Sequence, residues 1–337
     1  MYCRPDEYFC ALTATVVNAT LSTVIITPLY KDWESFQILL QNLEKELSGQ
    51  WASTGLVVVD DFSLEPVPDF LKESNAQVEV LELIRNMGHQ KAIAIGLAHA
   101  VASYPDAQNF VVMDSDGEDQ PKDVARLLGE MHRKKKGFCF ARRMKRTEGP
   151  VFRILYKLYK QLFGFLTGQR ISFGNFCCMD AVTAQRLVHV SEIWLHFSSA
   201  VIKSKIPYTT LPTHRGSRYR GKSKMNYTSL INHGLSAIAV YSEFVAVRIT
   251  LLSVIMSAIA GIGILSIVAI KQFTQLAIPG WTSFVVLGLA NLIAQFFSLG
   301  LLLSFVILSA KTIRNIDPSQ AYKNYIFTRR QLARNER

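Results

Sequence analysis

Charged residues are scarce in this sequence of 337 residues: they make up 19%, against 49% for hydrophobic residues. So low a charge content excludes an intrinsically disordered chain and an ordinary soluble enzyme. The charge that is present is unbalanced, with 37 Lys and Arg against 26 Asp and Glu and a formal net charge of +11. This excess predicts an anionic partner, such as phosphate groups, nucleic acid or a membrane surface.

Cysteine is also scarce, and the five cysteines form no Cys-x-x-Cys pair. Their pattern excludes a disulfide framework and a zinc site, and it predicts reduced thiols in a domain that faces the cytosol. The seven histidines are dispersed, without a His-x-x-x-His pair, so imidazole ligation of a metal is not expected. Residues 8–30 carry no charge, but two acidic residues precede them and polar residues interrupt them. We predict an N-terminal extension over 1–21, with a cleaved signal peptide as the alternative.

Two long stretches lack charge altogether, the 22 residues of 249–270 and the 39 residues of 272–310. Each is long enough to supply the roughly 20 apolar residues that a membrane-spanning helix needs. Basic residues flank the pair on both outer sides, at Arg248 and at Lys311 and Arg314, which predicts a hairpin with both flanks in the cytoplasm. A buried hairpin in a soluble protein is the alternative. The expected domains are a juxtamembrane amphipathic helix region at 226–247, a transmembrane hairpin at 248–310 and a basic cytoplasmic tail at 311–337.

The preceding part of the chain alternates between short β-rich runs and helical patterns. Strands are predicted at 22–27, 55–61, 78–84 and 109–116, and helices at 33–47 and 90–103. This alternation is typical of an α/β domain with a mainly parallel sheet and helices on both faces, which we expect over 22–225. Such sheets bind ligands beyond the carboxyl ends of their strands.

Carboxylates follow two of these predicted strands. Asp60 and Asp61 end one, while Asp114 and Asp116 end another in an Asp-x-Asp pattern. Two carboxylates on the same side of an extended chain are suited to a hard cation, because Mg²⁺ takes one or two protein carboxylates and the oxygens of a substrate diphosphate. Acidic pairs after strands also cap helices, and this remains the alternative.

Four segments in chain order carry a resemblance to a known family. They are ITPLYKD at 26–32, VVVDDFS at 57–63, RNMGHQKAIAIGL at 85–97 and MDSDGEDQP at 113–121. Together they resemble the family 2 glycosyltransferases with a GT-A fold, in the branch that makes polyprenyl-phosphate sugars. That branch includes dolichyl-phosphate mannose synthases and undecaprenyl-phosphate glucosyltransferases, and the two C-terminal spans match it as well.

The resemblance implies a site for the nucleotide diphosphate sugar donor. It assigns donor contacts to Pro28, Tyr30, Asp32, Asp60, Asp61, Arg85, Asn86, Gly88, Lys91 and Asp114. It assigns Mg²⁺ or Mn²⁺ to Asp114, Asp116 and Glu118, where Glu118 replaces the Gln that is usual in the family motif.

Two later segments imply the acceptor site. FARRMKR at 140–146 and SRYRGKSKMNY at 217–227 resemble segments that lie near phosphates in this family. They assign the acceptor phosphate to Arg142, Arg218, Ser223 and Lys224. The residues expected to take part in catalysis are Asp116, Arg218, Lys224 and Asn175. Asn175 stands where many relatives have Asp, so it is expected to position a substrate by hydrogen bonds rather than to act as a base.

The predicted activity is inverting transfer of one sugar, with UDP-glucose as the first donor to test, to a polyprenyl phosphate at the cytoplasmic membrane face. A bacterial inner membrane is the expected location, and the resemblance makes a homotetramer conceivable. A basic amphipathic pattern at 155–166 predicts a helix in the headgroup layer, or one packed on the catalytic domain. A glycosyltransferase for a glycerolipid is the main alternative. A processive polysaccharide synthase is not expected, because a Gln-x-x-Arg-Trp motif is missing, and no nucleic-acid motif is present.

Overall fold

A computed structural model of the chain describes residues 21–135, 137–144, 150–169, 173–221, 227–274, 280–312 and 316–332. Within these residues lies an eight-stranded sheet of order β7-β5-β6-β4-β1-β2-β3-β8. The strands are β1 Thr23–Leu29, β2 Thr54–Asp60, β3 Gln77–Leu83, β4 Asn109–Val112, β5 Phe138–Arg143, β6 Cys177–Asp180, β7 Thr209–Thr213 and β8 Ile326–Leu332. The helices are α1 Trp33–Glu46, α2 Phe70–Glu73, α3 His89–Ser103, α4 Lys122–Lys134, α5 Pro150–Thr167, α6 Ala181–Leu187, α7 Phe197–Lys203, α8 Tyr227–Ala239, α9 Ser242–Phe273, α10 Trp281–Thr312 and α11 Pro318–Ala321.

The centre of the sheet is parallel, as the sequence predicts. β1 pairs in parallel with β2 and β4, and β2 pairs in parallel with β3. Every residue of β1 and β2 is buried, which is the pattern of a parallel sheet covered on both faces. The outer strands make the sheet mixed, because β6 runs antiparallel to β4 and β5 while β8 runs antiparallel to β3.

Apolar layers lie on both faces of the sheet, which confirms the predicted α/β architecture. On one face α3 packs Ile93 and Leu97 against the sheet, and on the other face α1 and α4 pack Phe36 and Leu127. The α3 backbone approaches the sheet closely at Gly96. A Cβ at this position would lie 2.6 Å from a Val59 methyl group, so only glycine allows this contact distance.

The C-terminal hairpin consists of α9 and α10, each 32 residues long. Both helices are long and apolar enough to cross a membrane. Only 11% and 6% of the residues in their most apolar windows are buried by protein. A hairpin buried in a soluble protein would be covered by other parts of the protein. The alternative of a buried soluble hairpin therefore does not describe these helices. The first of them begins at Ser242, within the segment predicted as the juxtamembrane region.

Helix α5 contains the basic amphipathic pattern, and its apolar residues face two ways. Tyr159 and Phe163 pack against α8 and the start of α9, with the Tyr159 hydroxyl donating a hydrogen bond to the Gly234 carbonyl at 3.2 Å. Leu158 and Phe165 are 56% and 63% exposed. The helix therefore packs on its neighbours and also presents apolar side chains outward.

The prediction of a basic cytoplasmic tail at 311–337 is wrong for its described part. After the hairpin the chain forms α11 and then β8, and β8 pairs antiparallel with β3 as an edge strand of the sheet. The catalytic domain therefore does not end near residue 225, because it takes its last strand from beyond the hairpin. The predicted N-terminal extension lies outside the described residues, apart from its last residue.

Candidate active site

The carboxyl ends of β1, β2 and β4 lie side by side at one edge of the sheet, because these strands are parallel neighbours. The residues that follow them come from three of the segments singled out in the sequence. Pro28 lies near the end of β1, Asp60 and Asp61 at the end of β2, and Asp114 just beyond β4. Because open α/β sheets bind ligands at this edge, it is the candidate active site.

The Asp61 carboxylate shapes the loop at 85–88. Its two oxygens accept hydrogen bonds from the backbone amides of Met87 at 2.5 Å and Gly88 at 2.8 Å. The Asn86 side chain donates to the Asp61 carbonyl at 3.2 Å. Burial raises the pKa of Asp61, although both amide hydrogen bonds oppose the shift. Asp61 thus supports the loop at 85–88.

Asp60 has a similar structural contact. Its Oδ1 accepts a hydrogen bond from the Ser63 amide at 3.0 Å, and the Ser63 hydroxyl accepts one from the Lys31 amide at 2.7 Å. Burial raises the pKa of Asp60, against the pull of its contacts with Ser63. Asp60 and Asp61 are thus both buried, and both accept hydrogen bonds from the loops at this edge of the sheet.

Residues 114–119 follow β4 and form what is called here the acidic turn. The Asp114 amide donates to Oδ2 of Asp119 at 3.0 Å, and the Glu118 amide donates to Oδ1 of Asp116 at 2.9 Å. Burial, with a smaller contribution from the Asp116 charge, raises the pKa of Asp114 to about 7. Burial and the Asp114 charge likewise raise the pKa of Asp119 to about 7. Crowded carboxylates of this kind are typical of functional sites.

Three arginines balance the acidic turn. The ion pairs are Arg218 with Asp116 at 2.5 Å, Arg215 with Glu118 at 2.5 Å, Arg143 with Glu118 at 3.4 Å and Arg143 with Asp119 at 3.1 Å. Arg143 comes from the end of β5, while the other two belong to the segment after β7. Charge-assisted contacts of this kind hold both partners in defined positions.

The segment after β7, residues 214–221, lies over the acidic turn and is called here the arginine strap. Two backbone hydrogen bonds hold it there. They run from the Gly216 amide to the Glu118 carbonyl and from the Tyr219 amide to the Asp116 carbonyl, both at 2.9 Å. Gly117 has a φ of +90°, and a Cβ at this position would lie 2.8 Å from the Tyr219 ring. Only glycine suits this backbone and this distance.

His89, at the start of α3, connects the acidic turn to the loop that carries Asn175. Its Nε2 lies 3.4 Å from Oδ1 of Asp114 and 3.1 Å from Nδ2 of Asn175. The Asn175 Oδ1 accepts a hydrogen bond from the Ser198 hydroxyl at 3.2 Å. The Asn175 amide is therefore held from two sides at the edge of the site, as a positioning residue would be.

The carboxylates fit a divalent cation of the Mg²⁺ or Mn²⁺ type. Oδ1 of Asp114 is buried and accepts no hydrogen bond from the described residues, with His89 Nε2 as a neighbour at 3.4 Å, so a cation could take this oxygen as a ligand. Across the described ranges no group of three or more His, Cys, Asp or Glu side chains is arranged to hold a metal. Asp114, Asp116 and Glu118 are thus not preassembled as a complete set. This arrangement is compatible with a site in which one or two carboxylates and the oxygens of a diphosphate together hold the cation.

Arg142, which is predicted at the acceptor phosphate, does not contact the acidic turn, whereas its neighbour Arg143 does. Successive side chains on a strand point to opposite faces, and Arg143 is the one that reaches the acidic turn while Arg142 is exposed on the other face. Arg218, which is also predicted at the acceptor phosphate, forms an ion pair with Asp116, one of the predicted metal ligands. Ser223 and Lys224 lie outside the described residues.

The remaining predicted donor residues are accessible at the same edge. Arg85 and Asn86 are exposed, Lys91 is half-buried in the first turn of α3, and Tyr30 is 39% exposed. Asp32 precedes α1 without capping it by a side-chain hydrogen bond. These side chains could therefore reach a ligand. Four residues that the predictions did not assign also belong to the site, namely His89, Asp119, Arg143 and Arg215.

Sequence comparison agrees with this geometry. The family model for glycosyl transferase family 2 matches residues 24–194, which run from the second residue of β1 to beyond β6 and include the whole acidic turn. The chain belongs to glycosyl transferase family 2. It is a glycosyltransferase, as the motifs predict, and the acidic turn and the arginine strap are features of this family 2 enzyme.

The chain is also similar to glycosyltransferases over most of its length and most of theirs. An uncharacterized glycosyltransferase of Synechocystis sp. is 23% identical over 289 residues, covering 84% of this chain and 89% of that protein. An undecaprenyl-phosphate 4-deoxy-4-formamido-L-arabinose transferase of Enterobacter sp. is 23% identical over 310 residues, covering 87% and 90%. Among solved structures, glucosyl-3-phosphoglycerate synthase from Mycobacterium tuberculosis has a TM-score of 0.49 and 13% identity, covering 67% and 80%.

Proposed function

We propose that this enzyme transfers a single sugar, with inversion, from a nucleoside diphosphate sugar to the phosphate of a polyprenyl phosphate such as undecaprenyl or dolichyl phosphate. The observation that carries the proposal is the acidic turn under the arginine strap, in a domain that takes its last strand from beyond an apolar hairpin. The undecaprenyl-phosphate transferase relatives support this acceptor class. A UDP-sugar is the first donor to test, and glucose the first sugar.

The donor would lie across the carboxyl ends of β1, β2 and β4. Asp61 holds the loop at 85–88 in place, so Arg85 and Asn86 are presented to the nucleotide from a fixed backbone. Tyr30 and Asp32 border the same edge from the end of β1. Fixed loops of this kind reduce the entropy that a ligand must lose on binding.

Asp114, Asp116 and Glu118 would hold Mg²⁺ or Mn²⁺ together with the donor diphosphate. When bound, the cation supplies charge to offset the extra negative charge that the departing diphosphate acquires. Arg143 is anchored to Asp119 beside this place, and its guanidinium fork matches phosphate oxygens. Together with Lys224 of the adjoining segment, Arg218 would orient the acceptor phosphate toward the anomeric carbon.

The acceptor needs no general base. A phosphate monoester has a second pKa near 6, so it is mostly a dianion at neutral pH and already nucleophilic. Asn175 is an amide and cannot accept a proton, yet His89 and Ser198 hold it firmly at the edge of the site. We assign it to positioning a substrate by hydrogen bonds.

The hairpin would span the membrane and hold the active site at its cytoplasmic surface, in a bacterial inner membrane. Because β8 follows the hairpin and pairs with β3, both ends of the hairpin belong on the side of the catalytic domain. Exposed apolar side chains of α5 and α8, such as Leu162 and Ile231, support contact with the acyl chains near the headgroups. A homotetramer remains part of the proposal and is tested by the mass of the detergent-solubilised protein.

The decisive experiment incubates membranes that contain the protein with a panel of nucleoside diphosphate sugars and either polyprenyl phosphate or diacylglycerol. Mass spectrometry of the lipids then identifies the product. We expect a polyprenyl-phosphate sugar with one donor, and its loss in Asp116→Ala. Asp106→Ala is the matched control, because Asp106 is an exposed aspartate before the amino end of β4. A product on diacylglycerol alone would identify a glycerolipid glycosyltransferase instead.

A further inference from the structure

A pair of histidines lies between the catalytic domain and helix α8. His196 caps the amino end of α7 and His233 lies on α8, and their Nε2 atoms are 3.2 Å apart. The centroids of the two rings are 4.6 Å apart. His196 is buried and His233 is half-buried. Imidazole nitrogens in such a place need hydrogen-bond partners, and here each ring is a partner of the other.

The geometry determines which nitrogen of each ring carries the proton. Nδ1 of His196 accepts a hydrogen bond from the Ser199 amide at 3.2 Å, with the Ser199 hydroxyl at 3.0 Å, and a backbone amide can only donate. The proton of neutral His196 is therefore on Nε2, from which it donates to Nε2 of His233. Burial, with a smaller contribution from His233, lowers the pKa of His196 to about 3. Burial also lowers the pKa of His233, so both rings are neutral at pH 7, as this hydrogen bond requires.

The turn that His196 caps also holds Asn175. The Ser198 hydroxyl lies 2.8 Å from the Gly174 carbonyl and 3.2 Å from Oδ1 of Asn175. His196 fixes this turn through its hydrogen bond with the Ser199 amide, and Ser198 is the residue before Ser199. The backbone from which Ser198 reaches Asn175 is therefore held by His196.

Helix α8 faces this turn with one side. His233, Ala237 and Tyr241, which follows just after the helix, are spaced four residues apart and lie on the same side. Ala237 and Tyr241 are buried, and the Tyr241 hydroxyl donates to the Ser199 carbonyl at 3.0 Å. The exposed Ile231 lies on the opposite side of α8. The helix therefore stands between the proposed lipid contacts and the turn that holds Asn175.

We propose that His233 is a positioning residue: by accepting the hydrogen bond from His196, it fixes α8 on the catalytic domain in the orientation in which the lipid acceptor phosphate meets Asn175. This inference rests on the proposed function for the identity of the acceptor. Apolar contacts alone would allow α8 several rotations of similar energy, whereas a hydrogen bond between shielded groups is satisfied in one. The family model ends at residue 194, so it assigns no role to either histidine.

The test uses the full chain in detergent and three variants. His233→Leu keeps a side chain of similar volume but removes the acceptor of the hydrogen bond, and His233→Gln supplies a carbonyl oxygen as a new acceptor. The matched control is Asn232→Ala, because Asn232 is the exposed neighbour of His233 on α8. Hydrogen exchange of the α8 amides, measured without any ligand, reports how firmly the helix is held.

The second measurement is the transfer rate as a function of undecaprenyl phosphate concentration and, separately, of donor concentration, with the donor that the panel of nucleoside diphosphate sugars identifies. It gives one KM for the acceptor and one for the donor. A residue that positions the acceptor should affect the first KM and not the second.

His233→Leu leaves the shielded N–H of His196 without an acceptor, so the α8 amides should exchange about five- to tenfold faster. The KM for undecaprenyl phosphate should rise about fivefold or more, while the KM for the donor stays within about twofold. His233→Gln should restore both the exchange rate and the acceptor KM to within about twofold of the wild type, and Asn232→Ala should change neither. General damage to the fold would raise both KM values, and Gln would not reverse it.

Three results would overturn the proposal: unchanged exchange in His233→Leu, an equal rise in the two KM values, or an acceptor KM that His233→Gln does not restore. A wild type that transfers no sugar to undecaprenyl phosphate would reject the proposed function, and with it the acceptor role of His233. The exchange rates are measured without ligand, so they would still decide whether His233 holds α8 on the catalytic domain.

Discussion

Replacing Arg329 with Ala tests whether the C-terminal strand is a working part of the catalytic domain. Arg329 lies on β8 and forms an ion pair with Glu79 of β3, a carboxylate whose side chain is only 1% exposed. Glu79 also accepts a hydrogen bond from the Tyr104 hydroxyl at 2.7 Å and lies 3.1 Å from Nε2 of His99. Removing the arginine leaves a buried carboxylate with two of the three partners that the described residues give it.

A matched control lies one residue further along the same strand. Arg330 pairs with Glu82 at 3.1 Å, but the two side chains are 48% and 19% exposed. Breaking a fully buried pair costs about 3 to 5 kcal/mol, whereas an exposed pair contributes about 0 to 1 kcal/mol. Because Arg329 is itself half exposed and Glu79 keeps other contacts, we expect a loss of about 1 to 3 kcal/mol for Arg329→Ala and less than about 1 kcal/mol for Arg330→Ala.

Thermal unfolding of the detergent-solubilised protein measures the difference. At about 2 to 4 °C per kcal/mol for a domain of this size, Arg329→Ala should lower Tm by roughly 2 to 12 °C and Arg330→Ala by less than about 4 °C. The effect should depend on pH. Burial acts to raise the pKa of Glu79, but contacts with His99 and Arg329 outweigh it and hold the pKa below its usual value.

A carboxylate with a lowered pKa in the folded state stabilises the fold above its unfolded pKa, and this contribution is lost as pH falls toward the folded pKa. The difference in Tm between the wild type and Arg329→Ala should therefore be largest near neutral pH and smaller in acid. Equal Tm losses for the two variants, or none for Arg329→Ala, would mean that the strand does not pack on β3 and is a tail after all.

Three further predictions concern the site. Gly117→Ala should lower the transfer rate at least about tenfold, because the φ there is +90° and a Cβ would lie against the Tyr219 ring. The backbone amides of the strap should then exchange hydrogen faster, and an unchanged exchange rate would contradict this account. Asn175→Asp should lower the transfer rate or leave it unchanged, with the rate still rising through the phosphate pKa near 6, and a gain of more than tenfold would indicate a missing base. Lys224→Ala should weaken acceptor use more than nucleotide binding. The dependence of the transfer rate on acceptor concentration measures the first effect, and calorimetry of nucleotide binding measures the second.

The sequence alone determined the features that depend on local pattern. The runs of β1 and β2 contain enough β-branched residues to identify them as strands, and the uncharged stretches at 249–270 and 272–310 identified both long helices. Four motif segments together, of which the one around Asp116 is the last, indicate the family, and the family match confirms it. Each of these signals lies within a few tens of consecutive residues, where periodicity, turn residues and motif spacing are informative.

Only the tertiary structure decided which distant groups meet. Arg329 pairs with a carboxylate 250 residues earlier in the chain, and no local pattern distinguishes such a strand from a basic tail. Strand alternation brings Arg143 rather than Arg142 to the acidic turn, and the choice depends on register within β5. Arg215 is one of many basic residues in the sequence, and it pairs with Glu118 because the strap folds over the acidic turn. Charge pairing depends on distances of a few ångströms, and those distances are set by how the sheet and its loops pack together.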